Sequence, residues 1–183
     1  MSESHLIHAA VKLAEAVHKA ADENLPGELA GIVKLHAGIA VGAALVPIPG
    51  ADVVAAAANI WTMYIRINKE LDLPFGENLI KSVGAGVATN IGGTVVGMLV
   101  VGSAVKLFPG LGSVAGAALV GATVYGVTIV AGIVYMNAIA ALLKKKQAGD
   151  ISEADLKAAT EAEMADKNAL KDAIRAAGKE YKK

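Results

Sequence analysis

The sequence predicts an all-α fold: a helix bundle, expected to be membrane-associated, with two repeated Pro-Gly-tipped helical hairpins, an N-terminal amphipathic helix and a charged helical C-terminal tail. Three observations support this prediction. Residues 82–143 carry no charge except Lys106 and break once, near Pro109 and Gly110. The segment VGAALVPIPG at 41–50 recurs without gaps as VGSAVKLFPG at 101–110. Apolar residues recur at helical spacing in the flanking segments.

The composition sets limits on function. The apolar fraction is 55% and the mean hydropathy is +0.52, above the usual values for a soluble domain. Seventeen basic and seventeen acidic residues cancel, so no nucleic-acid partner is expected. The absence of cysteine excludes disulfides and thiolate chemistry. The N-terminus lacks the features of a secretory signal, so we expect cytoplasmic termini.

The chain divides into three predicted units. Residues 1–27 hold an amphipathic helix over 4–22, with Leu6 and Leu13 on its apolar side. Residues 28–146 form the apolar core of two helical hairpins. Residues 147–183 form the charged tail, which Ser152 and Asp155 open with the spacing of a capping box.

Four helices are predicted in the core. They run over 28–46, from Asp52 to 70, over 78–106 and over 113–144, and Asp52 is placed to cap the second of them. Prolines and glycines stop the helices at the hairpin tips, because proline cannot continue a helical backbone. The predicted tip residues are Pro47, Pro49, Gly50, Asp52, Pro109, Gly110 and Gly112.

The uncharged lengths favour a membrane. Residues 82–105 and 111–143 are each long enough to cross a bilayer, which takes about 20 apolar residues. The membrane-surface residues Lys144, Lys145 and Lys146 follow the last core helix and fit the positive-inside tendency. We therefore expect contact with membrane lipids, in the bacterial inner membrane. A soluble self-assembling bundle is the alternative, since a buried helix pair can also be uncharged.

Small residues recur every four positions on the second hairpin, which lets helix backbones approach closely. These rows predict helix packing and a homo-oligomer, and they comprise Ala85, Thr89, Gly93 and Gly97; Ser113, Ala117 and Gly121; and Ala118, Ala122 and Gly126.

No set of residues predicts catalysis, a cofactor or a metal. His5 and His8 are three apart but have no third or fourth ligand nearby. His18, three residues after Glu15, is interpreted as part of a surface helix pair, and His36 as a hydrogen-bonded core histidine. The glycines at 110–116 fit neither the dinucleotide nor the phosphate-loop spacing. We expect a protein that is not an enzyme.

Three asparagines lie in apolar helices: Asn59, Asn90 and Asn137. In lipid or a dry core each needs a partner, which predicts hydrogen bonds between helices. A polar pore lining is the alternative, and it keeps a pore or channel among the candidate functions.

The tip sequences PIPGAD at 47–52 and KLFPGLGSVAGAALVGATVYGV at 106–127 resemble the bacterial domain-of-unknown-function family 697. The resemblance covers about residues 35–146. Members of that family are often fused to, or encoded beside, Era-like GTPases, and many are regarded as membrane proteins. The resemblance thus implies a helical membrane module that works with an Era-like GTPase, and it supplies no catalytic residues. Together with the residue patterns it predicts a non-enzymatic, membrane-associated scaffold or adaptor.

Overall fold

The computed structural model describes residues 3–44, 51–101 and 114–165. Every regular element in these ranges is helical, so the all-α prediction is confirmed. The elements are α1 (Glu3–Asn24), α2 (Gly27–Ala44), α3 (Ala51–Glu70), α4 (Glu77–Val101), α5 (Val114–Leu143), a 3₁₀ helix (Ala148–Asp150) and α6 (Glu153–Ala165).

Helix α5 is the centre of the bundle. The other five helices all contact it and follow one another in an arc around it, in the order α1, α2, α3, α4, α6. Because α5 is apolar around its circumference, it can pack against neighbours on several sides, while Asn137 stays exposed. Its fully buried side chains include Ile129, Tyr135 and Ile139.

Contacts with α5 fix the helix directions. On α2, Val33 packs over Gly132 and Val41 over Gly121, so α2 runs antiparallel to α5. On α3, the Tyr64 hydroxyl donates to the Ala131 carbonyl at 2.9 Å, and Asn68 Nδ2 donates to the Tyr135 hydroxyl at 2.7 Å. Helix α3 therefore runs parallel to α5 and antiparallel to α2, as a hairpin of α2 and α3 requires.

The two hairpin tips, 45–50 and 102–113, lie outside the described residues. The predicted tip residues Pro47, Pro49, Gly50, Pro109, Gly110 and Gly112 lie there too. Helix α3 begins at Ala51, so Asp52 lies in its first turn and the prediction of Asp52 as the N-cap was wrong. Helix α3 ends in a Schellman motif, in which Asp72 has a φ of 49° and the Leu73 amide donates to the Asn68 carbonyl.

Helix α6 begins with the predicted capping box, which is confirmed. The Asp155 amide donates to Ser152 Oγ at 3.2 Å, and the Ser152 amide donates to Asp155 Oδ2 at 2.9 Å. Lys146 Nζ also donates to Asp155 Oδ2, at 2.7 Å. The hydrogen bonds from Lys146 and Ser152 hold the pKa of Asp155 well below its ordinary value. The rest of the predicted tail, 166–183, lies outside the described residues.

Candidate membrane-contacting surface

The arc of helices has two different sides. Although α1 also exposes Ile7 and Val11, the end helices α1 and α6 carry charge along their outward faces. These charges pair along the helix surface, as in Lys12–Glu15 and Lys19–Glu23 on α1 and Glu153–Lys157 on α6. Such exposed pairs are typical of a helix face in water.

The middle of the arc differs. On α2, Leu35 and Ile39 are each 49% exposed, and Gly38 and Gly42 are exposed beside them. A β-carbon at either glycine would meet no atom within 4 Å. In water, each helix-interior glycine costs about 1 kcal/mol relative to alanine. Nothing in the described part of the bundle covers this side of α2.

The same character continues onto α3 and α4. On α3, Thr62 is exposed and Ala58, one turn before it, is half-buried, and on α4 Ala85 and Thr89 are exposed. The Thr62 hydroxyl donates to the Ala58 carbonyl at 2.7 Å, and the Thr89 hydroxyl donates to the Ala85 carbonyl at 2.9 Å. These exposed hydroxyls are therefore satisfied within their own helices and need no water.

We name this surface the uncharged face. It consists of Leu35, Gly38, Ile39 and Gly42 on α2, Ala58 and Thr62 on α3, and Ala85 and Thr89 on α4.

The predicted small-residue rows fall into two groups. On α5, Gly121, Ala122 and Gly126 are buried and Ala117 and Ala118 half-buried. Gly121 lies against Val41 of α2, and Gly126 lies against Val17 of α1. The α5 rows therefore pack helices within the chain.

The α4 row instead begins on the uncharged face, because Ala85 and Thr89 are exposed. Gly93 and Gly97 follow on α4, beyond the part whose surroundings are described, and Ser113 lies outside the described residues. The oligomer stays a prediction.

The predicted asparagines do not converge on a channel within the described ranges. The His36 ring donates through Nδ1 to Asn59 Oδ1 at 2.9 Å, and Asn59 Nδ2 donates to the His36 carbonyl at 2.8 Å. Both predictions for this pair are confirmed: a bond between helices and a hydrogen-bonded core histidine. Asn90 donates to the Gly86 carbonyl of its own helix at 3.1 Å, and Asn137 is exposed on α5.

One segment among the described residues, Val120–Leu143 in α5, is long and apolar enough to cross a membrane. It is also the bundle's core, with 56% of its most apolar window buried. The predicted membrane-surface residues Lys144, Lys145 and Lys146 follow it and are exposed, with Lys146 bonded to Asp155.

The chain resembles magnetosome membrane protein 22 of Magnetospirillum gryphiswaldense. The two sequences are 34% identical over 100 residues, which cover 52% of this chain and 51% of the relative. The chain therefore spans about half the length of this curated relative. No family model matches the chain. No solved structure matches it either.

A polar cluster lies where α1, α2 and α5 meet. His18 Nδ1 lies 2.7 Å from the Tyr125 hydroxyl, and Asp22 is ion-paired with Lys34. The bond to Lys34 lowers the pKa of Asp22. His18 does form a surface helix pair, but with Asp22, at 3.8 Å from Nε2 to Oδ2, and not with Glu15 as predicted. Its other ring nitrogen contacts Tyr125 of α5.

The described residues contain no group of three or more His, Asp or Glu side chains that could hold a metal ion. His8 is exposed, and the side chain of His5 is not among those described. Sequence reasoning missed the His18–Tyr125 and Asn68–Tyr135 contacts, because residues 107 and 67 positions apart come together only in the folded bundle. A tyrosine inside an apolar helix was the available signal, since a buried hydroxyl needs a partner.

Proposed function

We propose that the protein is a non-enzymatic helical scaffold that contacts a membrane through the uncharged face. The observation that carries this proposal is the outward side of α2, where Leu35 and Ile39 are half exposed between open glycines. The resemblance to a protein named as a magnetosome membrane protein supports the same conclusion.

The energetics favour a covered face. Complete burial of a leucine or isoleucine side chain stabilises by about 1.5–3 kcal/mol, so covering the exposed halves of Leu35 and Ile39 gains about 1.5–3 kcal/mol together. In lipid, exposed glycines and internally bonded threonines carry no penalty for lost water contact. A monomeric bundle in water would keep Leu35 and Ile39 half exposed and would lack this stabilisation.

A scaffold role fits the way the polar groups are used. The His36–Asn59 pair joins α2 to α3, and the Asn68–Tyr135 bond joins α3 to α5. These buried or half-buried groups bond to one another across helix interfaces, which specifies how the helices pack. In this proposal they hold the uncharged face in shape.

Three finer parts belong to the proposal. The first is self-assembly through the α4 row that begins with Ala85 and Thr89. The second is an Era-like GTPase as partner, which rests on the resemblance of the tip sequences to family 697. The third is location at the bacterial inner membrane with cytoplasmic termini. Cross-linking in membranes and co-purification with such a GTPase test the first two, and protease protection of termini in sealed inner-membrane vesicles tests the third.

The central test is flotation of the purified full-length protein with neutral phosphatidylcholine vesicles. A matched pair of variants locates the contact. Ile39 and Val11 are exposed to 49% and 48%, but Ile39 lies on the uncharged face and Val11 on the charged helix α1. We expect Ile39→Gln to weaken flotation and Val11→Gln to leave it near the wild-type level. Wild-type protein that stays at the bottom of the gradient as a discrete species would instead support the soluble scaffold.

A further inference from the structure

Three cations mark one edge of the uncharged face. Lys34 follows Val33, which packs over Gly132 of α5. Arg66 lies two residues after Tyr64, whose hydroxyl bonds to the Ala131 carbonyl. These contacts place Lys34 and Arg66 at the same height along α5.

Lys81 of α4 joins them at this height. Its Nζ lies 4.3 Å from the centre of the Trp61 ring, and Gly84, three residues further on, packs against the Trp61 backbone at 3.1 Å. Only residues 71–76 separate α3 from α4, so the two packed helices run antiparallel and Lys81 lies level with Tyr64. We name Lys34, Arg66 and Lys81 the cationic edge.

The order of charges along each helix is the same. One end of the bundle holds the connections from α1 to α2 and from α3 to α4. From the uncharged face toward that end, the first charged residue is Lys34 on α2, Arg66 on α3 and Lys81 on α4. The nearest acidic residue on each helix comes a turn or more later, at Glu28, Glu70 and Glu77 respectively. Cations therefore separate the uncharged face from the acidic residues on all three helices.

Two of the three cations are available to a ligand. Lys34 is ion-paired with Asp22. Within the described ranges, neither Arg66 nor Lys81 forms an ion pair, and both residues are exposed. Trp61 adds an indole beside Lys81, and aromatic rings together with lysine or arginine are enriched where a membrane protein meets the headgroup layer.

We infer that Arg66 and Lys81 bind the phosphate groups of anionic phospholipids while the uncharged face contacts the acyl region of the same leaflet. This inference rests on the proposed membrane contact and adds a lipid preference to it. Charge complementarity selects the lipid: each cation near an anionic membrane strengthens binding by about fivefold. Contact with neutral lipid needs only the uncharged face. An experiment can therefore disprove the preference for anionic lipid without disproving the membrane contact.

The test compares flotation with vesicles of phosphatidylcholine alone and with vesicles that also contain phosphatidylglycerol. The variant Arg66→Gln/Lys81→Gln removes both available cations. The control Lys12→Gln/Lys19→Gln removes the same net charge from the outward face of α1, at the opposite end of the arc from α4 and α6. We expect the wild type to bind phosphatidylglycerol vesicles more tightly, and the edge variant to lose about 30-fold in affinity for them. The control should keep the wild-type preference, and all three proteins should bind neutral vesicles alike.

If the variant Arg66→Gln/Lys81→Gln, here called the edge variant, folds poorly, two further measurements still test the inference. The variant Arg66→Lys/Lys81→Arg keeps both charges and should keep the preference. Wild-type binding to phosphatidylglycerol vesicles should weaken as salt rises, while binding to neutral vesicles should not. A wild type without preference for phosphatidylglycerol, or an equal loss in the edge variant and the control, would overturn the inference. Failure to bind either vesicle would instead overturn the proposed function.

Discussion

The contact between α2 and α5 at Gly132 offers a sharp test of the packing. A β-carbon added at Gly132 would lie 2.6 Å from both γ-carbons of Val33, well inside the 3.4 Å at which ordinary van der Waals contact begins. Valine is stiff about χ1, so its methyl groups cannot turn away without strain. We therefore expect Gly132→Ala to push α2 away from α5.

The expected magnitude follows from two opposing effects. Overpacking a core by one methyl group costs about 1–3 kcal/mol. Alanine in place of a helix-interior glycine returns about 1 kcal/mol. Gly132→Ala should therefore lower the free energy of unfolding by up to about 2 kcal/mol. The matched control is Gly31→Ala on α2, where a β-carbon meets no atom within 4 Å and the full gain of about 1 kcal/mol is expected.

Thermal unfolding followed by circular dichroism at 222 nm measures the difference. A change of 1 kcal/mol shifts the Tm by about 2–4 °C in a chain of this size. The double variant Val33→Ala/Gly132→Ala should lose less stability than the two single variants added together, because the shortened side chain makes room. Equal stabilisation by Gly132→Ala and Gly31→Ala would refute the close approach of α2 to α5.

Three further predictions concern polar groups. Tyr135→Phe removes the acceptor for the buried Asn68 amide, so it should cost about 1–3 kcal/mol in chemical denaturation, and no loss would contradict the bond. Asp155→Ala breaks the α6 capping box and should speed amide hydrogen exchange in 153–165 while α5 keeps its protection; unchanged exchange would count against the box. Burial lowers the pKa of His36, so its contribution to stability should be complete above the unfolded pKa of about 6.5 and decline as pH falls from there toward the lower folded pKa. His36→Gln should flatten that pH dependence, and an equally steep profile would exclude His36 as its source.

The positions of the helices could be predicted from the sequence. Apolar spacing and the Pro-Gly breaks predicted α1 to α5 with bounds close to those observed, since helix periodicity and chain breakers are local properties. The capping box of Ser152 and Asp155 was predictable for the same reason. The internal repeat also indicated the antiparallel pair of α2 and α3.

The arrangement around α5 was not predictable from local patterns. Gly121 and Gly126 each end a predicted row of small residues spaced four apart, yet they lie against Val41 and Val17 of the same chain. The residues of α5 are apolar on every side of the helix, so its sequence has no apolar stripe that would show which side contacts which helix. The uncharged face on α2 could not be predicted from the sequence for a related reason. Only the positions of the other helices show that Leu35 and Ile39 stay exposed.

The cationic edge shows the same limit. In the sequence, Lys34 is a charge in the middle of α2, and Arg66 and Lys81 are charges near the ends of α3 and α4. The contacts of Val33, Tyr64 and Trp61 bring them to one height on the bundle. A lipid preference can therefore be argued only from the folded protein.

The measurement that tests the membrane contact most directly uses an environment-sensitive fluorophore on single introduced cysteines. The natural chain has no cysteine, so each label occupies one known position. Ile39→Cys places it on the uncharged face, and Glu15→Cys places it on the outward side of α1. With vesicles present, we predict a blue-shifted emission for the label at position 39 and little change at position 15. Emission that stays water-like at position 39, or shifts equally at both positions, would contradict contact through the uncharged face.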